Sequence, residues 1–257
     1  MFLAPPVVKK HLRKVGEMER LLNGLQARMQ SLETAVGRGI ASPTYVESTE
    51  VGFNGQVGRK EIFKQLVSAF HFQGIVETGT FIGDTTGYMV AMSKLPVYTT
   101  ELKKHFNLIA KKRLAEFNNI EFENLDSRQF IKKLANNSKL RKGTCLFYLD
   151  AHWYEDVPLK KEIQLVVTNW DRFIVMIDDF RVPGDEGYLY DMYSNGVELN
   201  IELIRPLLKM YDLATYFPSK PSSEETGAKR GCIVISRQGE LADTLCTLSS
   251  LRKYCVI

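Results

Sequence analysis

The stretch Gly74 to Gly87, GIVETGTFIGDTTG, constrains the chain more than any other. A short apolar run ends in an acid, Glu77, and opens into a loop punctuated by Gly79, Gly83 and Gly87. Ile75 and Val76 suit a buried parallel strand, and glycines at the turn let the backbone approach a ligand without a Cβ in the way. Asp84, Thr85 and Thr86 suit a first helical turn, where short oxygen-bearing side chains cap free N–H groups and the dipole favours anions. The stretch therefore predicts a strand, a ligand turn and a helix start. Its glycines fall four apart, so it is not the dinucleotide fingerprint, whose spacing lets a pyrophosphate pass.

The same pattern returns along the chain. VYTTE ends at Glu101, 22 residues beyond Gly79, close to the ~20-residue interval at which nucleotide-binding α/β folds place an acid for ribose hydroxyls. IEFEN leads to Asp126, Ser127 and Arg128, where Asp126 also suits a helix cap. CLFYLDAHW carries Asp150 and His152, and FIVMI ends in Asp178 and Asp179. Unbroken apolar strands belong to parallel sheets buried on both faces, and such sheets bind ligands beyond their carboxyl ends.

The spacing Glu77-x-Gly79-x-x-x-Gly83-x-Thr85 resembles the first motif of class I S-adenosylmethionine (AdoMet, SAM) methyltransferases. The resemblance covers about residues 59 to 236 and rests on the glycine loop, Glu101, Asp126 and the acidic strand ends, in that order. It implies an α/β, Rossmann-like, seven-stranded, mostly parallel sheet with helices on both faces. It also implies AdoMet held by Glu77, Gly79, Thr80, Gly83, Thr85, Glu101, Asp126 and Ser127, the last two facing the adenine. Acids at the fourth and fifth strand ends resemble the metal site of catechol and sugar O-methyltransferases. Converging carboxylates are costly unless neutralised, which implies Mg²⁺ or another divalent cation at Asp150, Asp178 and Asp179. The family often has an amide at position 179, which leaves open whether Asp179 is a ligand or a cap. The implied activity is methyl transfer to a hydroxyl of a small molecule or sugar, with His152 and Asp150 as candidate catalytic residues and His152 as the base. The alternatives are a metal-independent enzyme relying on His152 and a non-catalytic AdoMet-binding scaffold.

Two loops are candidates for contacting the acceptor. Residues 182–196, VPGDEGYLYDMYSNG, offer aromatic faces and directional hydrogen bonds. The polar stretch PSSEETGAKRG holds Arg230 as a candidate substrate contact.

Ahead of the domain, Val15, Met18, Leu22, Leu25, Met29, Leu32 and Val36 alternate steps of three and four. Three heptads of this kind read either as a parallel coiled coil, which would make the protein a homo-oligomer through residues 15–36, or as one amphipathic helix lying on the domain. The expected organisation is a helical segment over 1–40, a linker and loop over 41–58 in which GFNGQ either folds over the cofactor or is a plain turn, and the catalytic domain over 59–257. Residues 1–40 hold seven Lys or Arg against three Glu, which accounts for the whole formal charge of +4. A neutral catalytic domain argues against a nucleic-acid partner. Four scattered cysteines read as reduced thiols. No apolar run approaches the roughly 20 residues of a membrane span, and MFLAPPVV is too short for a signal-peptide core, so the expected location is cytoplasmic.

Overall fold

A computed structural model describes residues 52–151, 156–193 and 195–255, with Met18 alone ahead of them. The chain divides into two compact units, Met1–Pro43 and Thr44–Ile257. Apart from Met18, helical and 67 % exposed, the heptad seam lies outside the described residues, as does His152.

The second unit is built on one sheet. β1 (Phe72–Thr78), β2 (Val97–Thr100), β3 (Ile120–Glu123), β4 (Thr144–Leu149) and β5 (Phe173–Ile177) run parallel in the order β3-β2-β1-β4-β5. Every residue of β4 and β5 is buried, as unbroken apolar strands require when both sheet faces are covered. β6 (Leu213–Pro218) and β7 (Ile233–Arg237) complete the expected seven, with β7 antiparallel between β5 and β6.

The sheet has eight strands, not the seven expected. β8 (Leu251–Tyr254) pairs antiparallel with β6 at the edge. Its sequence, LRKY, puts two cations into four residues, so no apolar run betrays it, and such charge is what an edge strand tolerates.

Helices cover both faces. Ile62, Phe63 and Leu66 of α1 (Val57–Ala69) join the core on one face, with Tyr88, Met89 and Val90 of α2 (Asp84–Ser93). α3 (Lys104–Arg113) runs into Leu114, which packs under Gly83. On the other face lie α4 (Ser127–Leu134), the short α5 (Ser138–Lys142), α6 (Leu159–Asn169) and α7 (Ile201–Met210). α8 (Glu240–Cys246) returns to the first face.

The expected linker boundary at residue 58 falls inside the folded domain. Gly52–Gly55 forms a tight turn in which Phe53 and Asn54 are left-handed at φ 53 and φ 56, and Phe53 is fully buried with its ring 5.4 Å from Phe63, 5.5 Å from Tyr88 and 5.3 Å from Tyr148. A glycine-rich stretch reads as a loop, but here the glycines let the backbone turn while one aromatic enters the core.

Register sets up the site. Thr78 is aligned with Thr100 on β2 and with Leu149 on β4, and Leu149 is aligned with Ile177 on β5. The residues that follow, Glu101, Gly79, Asp150 and Asp178, therefore form one row along the carboxyl edge of the sheet.

Candidate cofactor cleft and strand-end acids

An open cleft of about 110 Å³ lies over the β1 and β2 end of that row. Gly79, Glu101, Asp126 and Ser127 line it, whereas Glu77, Thr80, Gly83 and Thr85, also expected at a cofactor, do not. Phe81 and Phe106, with ring centroids 4.6 Å apart, join Leu102, Leu125 and Pro158 as apolar wall. These residues were missed in the sequence because they scatter over four loops and a helix.

Glu101 is held before any ligand arrives. Its carboxylate accepts from the backbone N–H of Phe81 and of Lys103, both at 2.8 Å, and it remains 9 % exposed. Each oxygen keeps a lone pair for a further donor. Asp126 is the N-cap of α4: Oδ1 accepts from the Arg128 backbone N–H and from Arg128 Nε, both at 2.9 Å. Arg128 Nη2 also donates to Asp126 Oδ2 at 2.7 Å, and the guanidinium reaches Asp156 across the cleft. This pairing holds Asp126 below the usual carboxylate range.

The short polar residues opening α2 do not cap it. Gly83 is its N-cap, left-handed at φ +87, without a side-chain hydrogen bond. Asp84 instead accepts from Arg113 at 2.8 Å, Thr85 Oγ1 accepts from the Phe53 N–H at 3.2 Å, and Thr86 donates to Glu77 at 2.6 Å. Thr99 donates to the same Glu77 oxygen at 2.6 Å, while Oε1 has no hydrogen-bond partner among the described residues. Full burial raises the Glu77 carboxyl to about 7, and the two threonine hydrogen bonds only partly oppose this.

Two of the strand-end acids, Asp178 and Asp179, are paired with arginines. Asp178 is fully buried. Its Oδ1 accepts from Arg59 Nη1 and from the Asp179 backbone N–H at 2.6 Å, and its Oδ2 accepts from the Tyr148 hydroxyl. Asp179 sits at φ +54 and accepts from Arg230 Nε, whose Nη2 donates to Asp191. Asp150 ends β4, half-buried, its N–H bonded to the Thr78 carbonyl at 2.9 Å. Burial first, then the charges of Asp178 and Asp179, push its carboxyl well above the ordinary value.

Among the described residues, no three His, Cys, Asp or Glu side chains gather as a ligand set. The divalent cation expected on Asp150, Asp178 and Asp179 is thus not shown by the described residues. Repulsion between these acids is relieved by guanidinium groups, and both oxygens of Asp178 are already engaged. Arg59 and Asp191 carried no signal in the sequence, because their partners lie far away along the chain.

The candidate acceptor loop is only partly available. Tyr188 and Tyr193 are buried in the core, while Tyr190 is half-buried with the Arg181 guanidinium 5.2 Å from its ring centroid.

A mostly parallel sheet ordered 3-2-1-4-5-7-6, with strand seven reversed and helices on both faces, is the fold of the class I AdoMet-dependent methyltransferases, here extended by β8. The O-methyltransferase from Bacillus cereus, solved in complex with SAH, superposes with a TM-score of 0.53 at 14 % identity, covering 81 % of this chain and 91 % of that one. The O-methyltransferase TomG from Streptomyces achromogenes, involved in tomaymycin synthesis and solved with SAM, gives a TM-score of 0.50 at 16 % identity over 70 % of this chain and 80 % of that one. No family model and no curated protein matches the sequence.

Proposed function

We propose that the protein binds AdoMet in the cleft over β1 and β2 and transfers its methyl group to a hydroxyl of a small molecule or sugar. The observation that carries this reading is the aligned row of Glu101, Gly79, Asp150 and Asp178 on a methyltransferase fold, with the open cleft at one end and acids at the other. When bound, the cofactor supplies a methyl group on a sulfonium, a good leaving group. Everything else falls to the chain. Glu101, fixed by two backbone amides, offers its remaining lone pairs to ribose hydroxyls. Asp126, Ser127 and Arg128 bound the adenine end, and Phe81 and Phe106 supply the flat apolar wall. Glu77 brings an unsatisfied acceptor beneath the glycine loop. Thr80, Gly83 and Thr85 shape that loop from behind.

Asp150 is the proton acceptor on this reading, because its raised affinity for a proton matches the task at the acceptor side of the row. His152, two residues on, is the second candidate base. A metal is not part of the proposal. Of the two enzymatic alternatives in the sequence, the arginine-paired acids favour the metal-independent one.

The test is AdoMet titration by calorimetry, followed by release of S-adenosylhomocysteine with a panel of glycosides, sugar nucleotides and catechols. Failure of the wild-type protein to bind AdoMet, with or without divalent cations, would sink the reading. For the N-terminal unit, residues 15–36 are proposed to associate as a parallel pair. Truncation before Ser42 is expected to lower the number of chains per particle in light scattering.

A further inference from the structure

We infer that a clamp of two arginines, Arg59 and Arg230, is the permanent countercharge of the strand-end acids and occupies the place in which a divalent cation was expected. Its position beside a methyl-transfer site rests on the reading above, but the clamp is defined by its own geometry.

The first arginine is buried with its partner. The side chains of Arg59 and Asp178 are each 1 % exposed, and Nη1 of the arginine donates to Oδ1 of the acid. Nη2 donates to the carbonyls of Arg230 and, at 3.0 Å, Gly231. One guanidinium therefore grips both the end of β5 and the loop that precedes β7. Tyr148 closes the remaining side of Asp178 from β4. Octahedral divalent cations demand several free oxygens at nearly ideal angles, and protein donors already take three of the lone-pair directions of Asp178.

The second arginine is placed by its backbone. The Gln56 side chain accepts from the Arg230 N–H at 3.0 Å and donates to the Arg230 carbonyl at 2.7 Å, so the main chain there is held on both sides. The same short strap holds the loop further along: Gly58 N–H donates to Glu225 at 2.9 Å and Thr226 donates to the Gly55 carbonyl at 2.8 Å. Thus fixed, the Arg230 side chain joins Asp179 to Asp191, bringing the acceptor loop to the end of β5. Arg59 and Arg230 are positioning residues on this account. They orient carboxylates, and the strap from Gly52 to Arg59 becomes a wall of the site.

The test uses the full chain and three measurements. Mn²⁺ is titrated into the wild-type protein by calorimetry, with AdoMet present and absent, and no saturable site is expected up to millimolar metal. Thermal unfolding is then compared for Arg59→Met, Asp178→Asn and the double variant. Arg59→Met strands a buried carboxylate and is expected to lower Tm by roughly 10 °C, and adding Asp178→Asn should recover most of that loss. Additive losses in the double variant would overturn the clamp, as would a saturable Mn²⁺ site that Asp179→Asn removes. Should Arg59→Met not fold, the double variant is read directly: folding near the wild-type Tm supports the pairing, and failure to fold refutes it. AdoMet titration with EDTA present keeps the two ideas apart, because loss of cofactor binding with a neutral Mn²⁺ result condemns the functional reading and leaves the clamp standing.

Discussion

Gly79 and Asp150 meet backbone to backbone: a Cβ on Gly79 would lie 2.3 Å from the Asp150 carbonyl oxygen. At φ +90 the position also disfavours any L side chain. The glycine expected to make room for a cofactor is thus required first by the neighbouring strand. Gly79→Ala is expected to lower stability by about 2–4 kcal/mol, from strain and overpacking together, and to weaken AdoMet binding in parallel. Urea unfolding and calorimetry on the same preparation check both effects.

Glu101→Ala removes the acceptor that ties Phe81 and Lys103 to the end of β2. Charge-assisted hydrogen bonds of this kind contribute roughly 1.5–3 kcal/mol, so AdoMet affinity is expected to fall about 10- to 100-fold. An unchanged dissociation constant would remove Glu101 from the cofactor site.

Glu77 makes a prediction in pH. Its carboxyl titrates near 7 in the folded protein against 4.5 ordinarily. Between those values the folded state keeps a proton that the unfolded chain has released, so stability falls as pH rises through the window. The full effect is about 3 kcal/mol. Glu77→Gln keeps an acceptor for Thr86 and Thr99 but cannot ionise, so its stability relative to wild type should rise steadily from pH 4.5 to 8. A constant difference across that range would show that Glu77 does not titrate there.

Phe53→Ala should cost about 3–5 kcal/mol, although the residue lies in a stretch that reads as linker, because its ring fills a pocket made by Phe63, Tyr88 and Tyr148. Met92→Ala, at an exposed position, is the control and should change stability by less than about 0.5 kcal/mol. Denaturant midpoints at constant slope provide the measurement.

Apolar runs such as CLFYL and FIVMI declare buried strands because both sheet faces are covered, and an acid directly after each marks the carboxyl edge. That much of the fold is written locally. The partners of the acids are not, since Arg59 lies 119 positions from Asp178 and Arg230 lies 51 from Asp179. The acids suggested a metal in the sequence, and the arginines that pair with Asp178 and Asp179 could not be read there. Phe53 was hidden by its flanking glycines, and β8 by its charges. Asp126 was legible as a cap because that role depends on its immediate neighbours, whereas its expected place at the cofactor came from the family resemblance.

The seat of the Gly52–Arg59 strap is made by residues 225–231, between 167 and 174 positions further along the chain. A ribosome delivers the strap early and its seat late. The parallel block from β1 to β5 emerges as one continuous run, whereas Arg59 must wait for the loop before β7 before all its acceptors exist. In the nascent protein the parallel block is therefore laid down first, and the acid-bearing wall is fastened only once the segment before β7 has followed it.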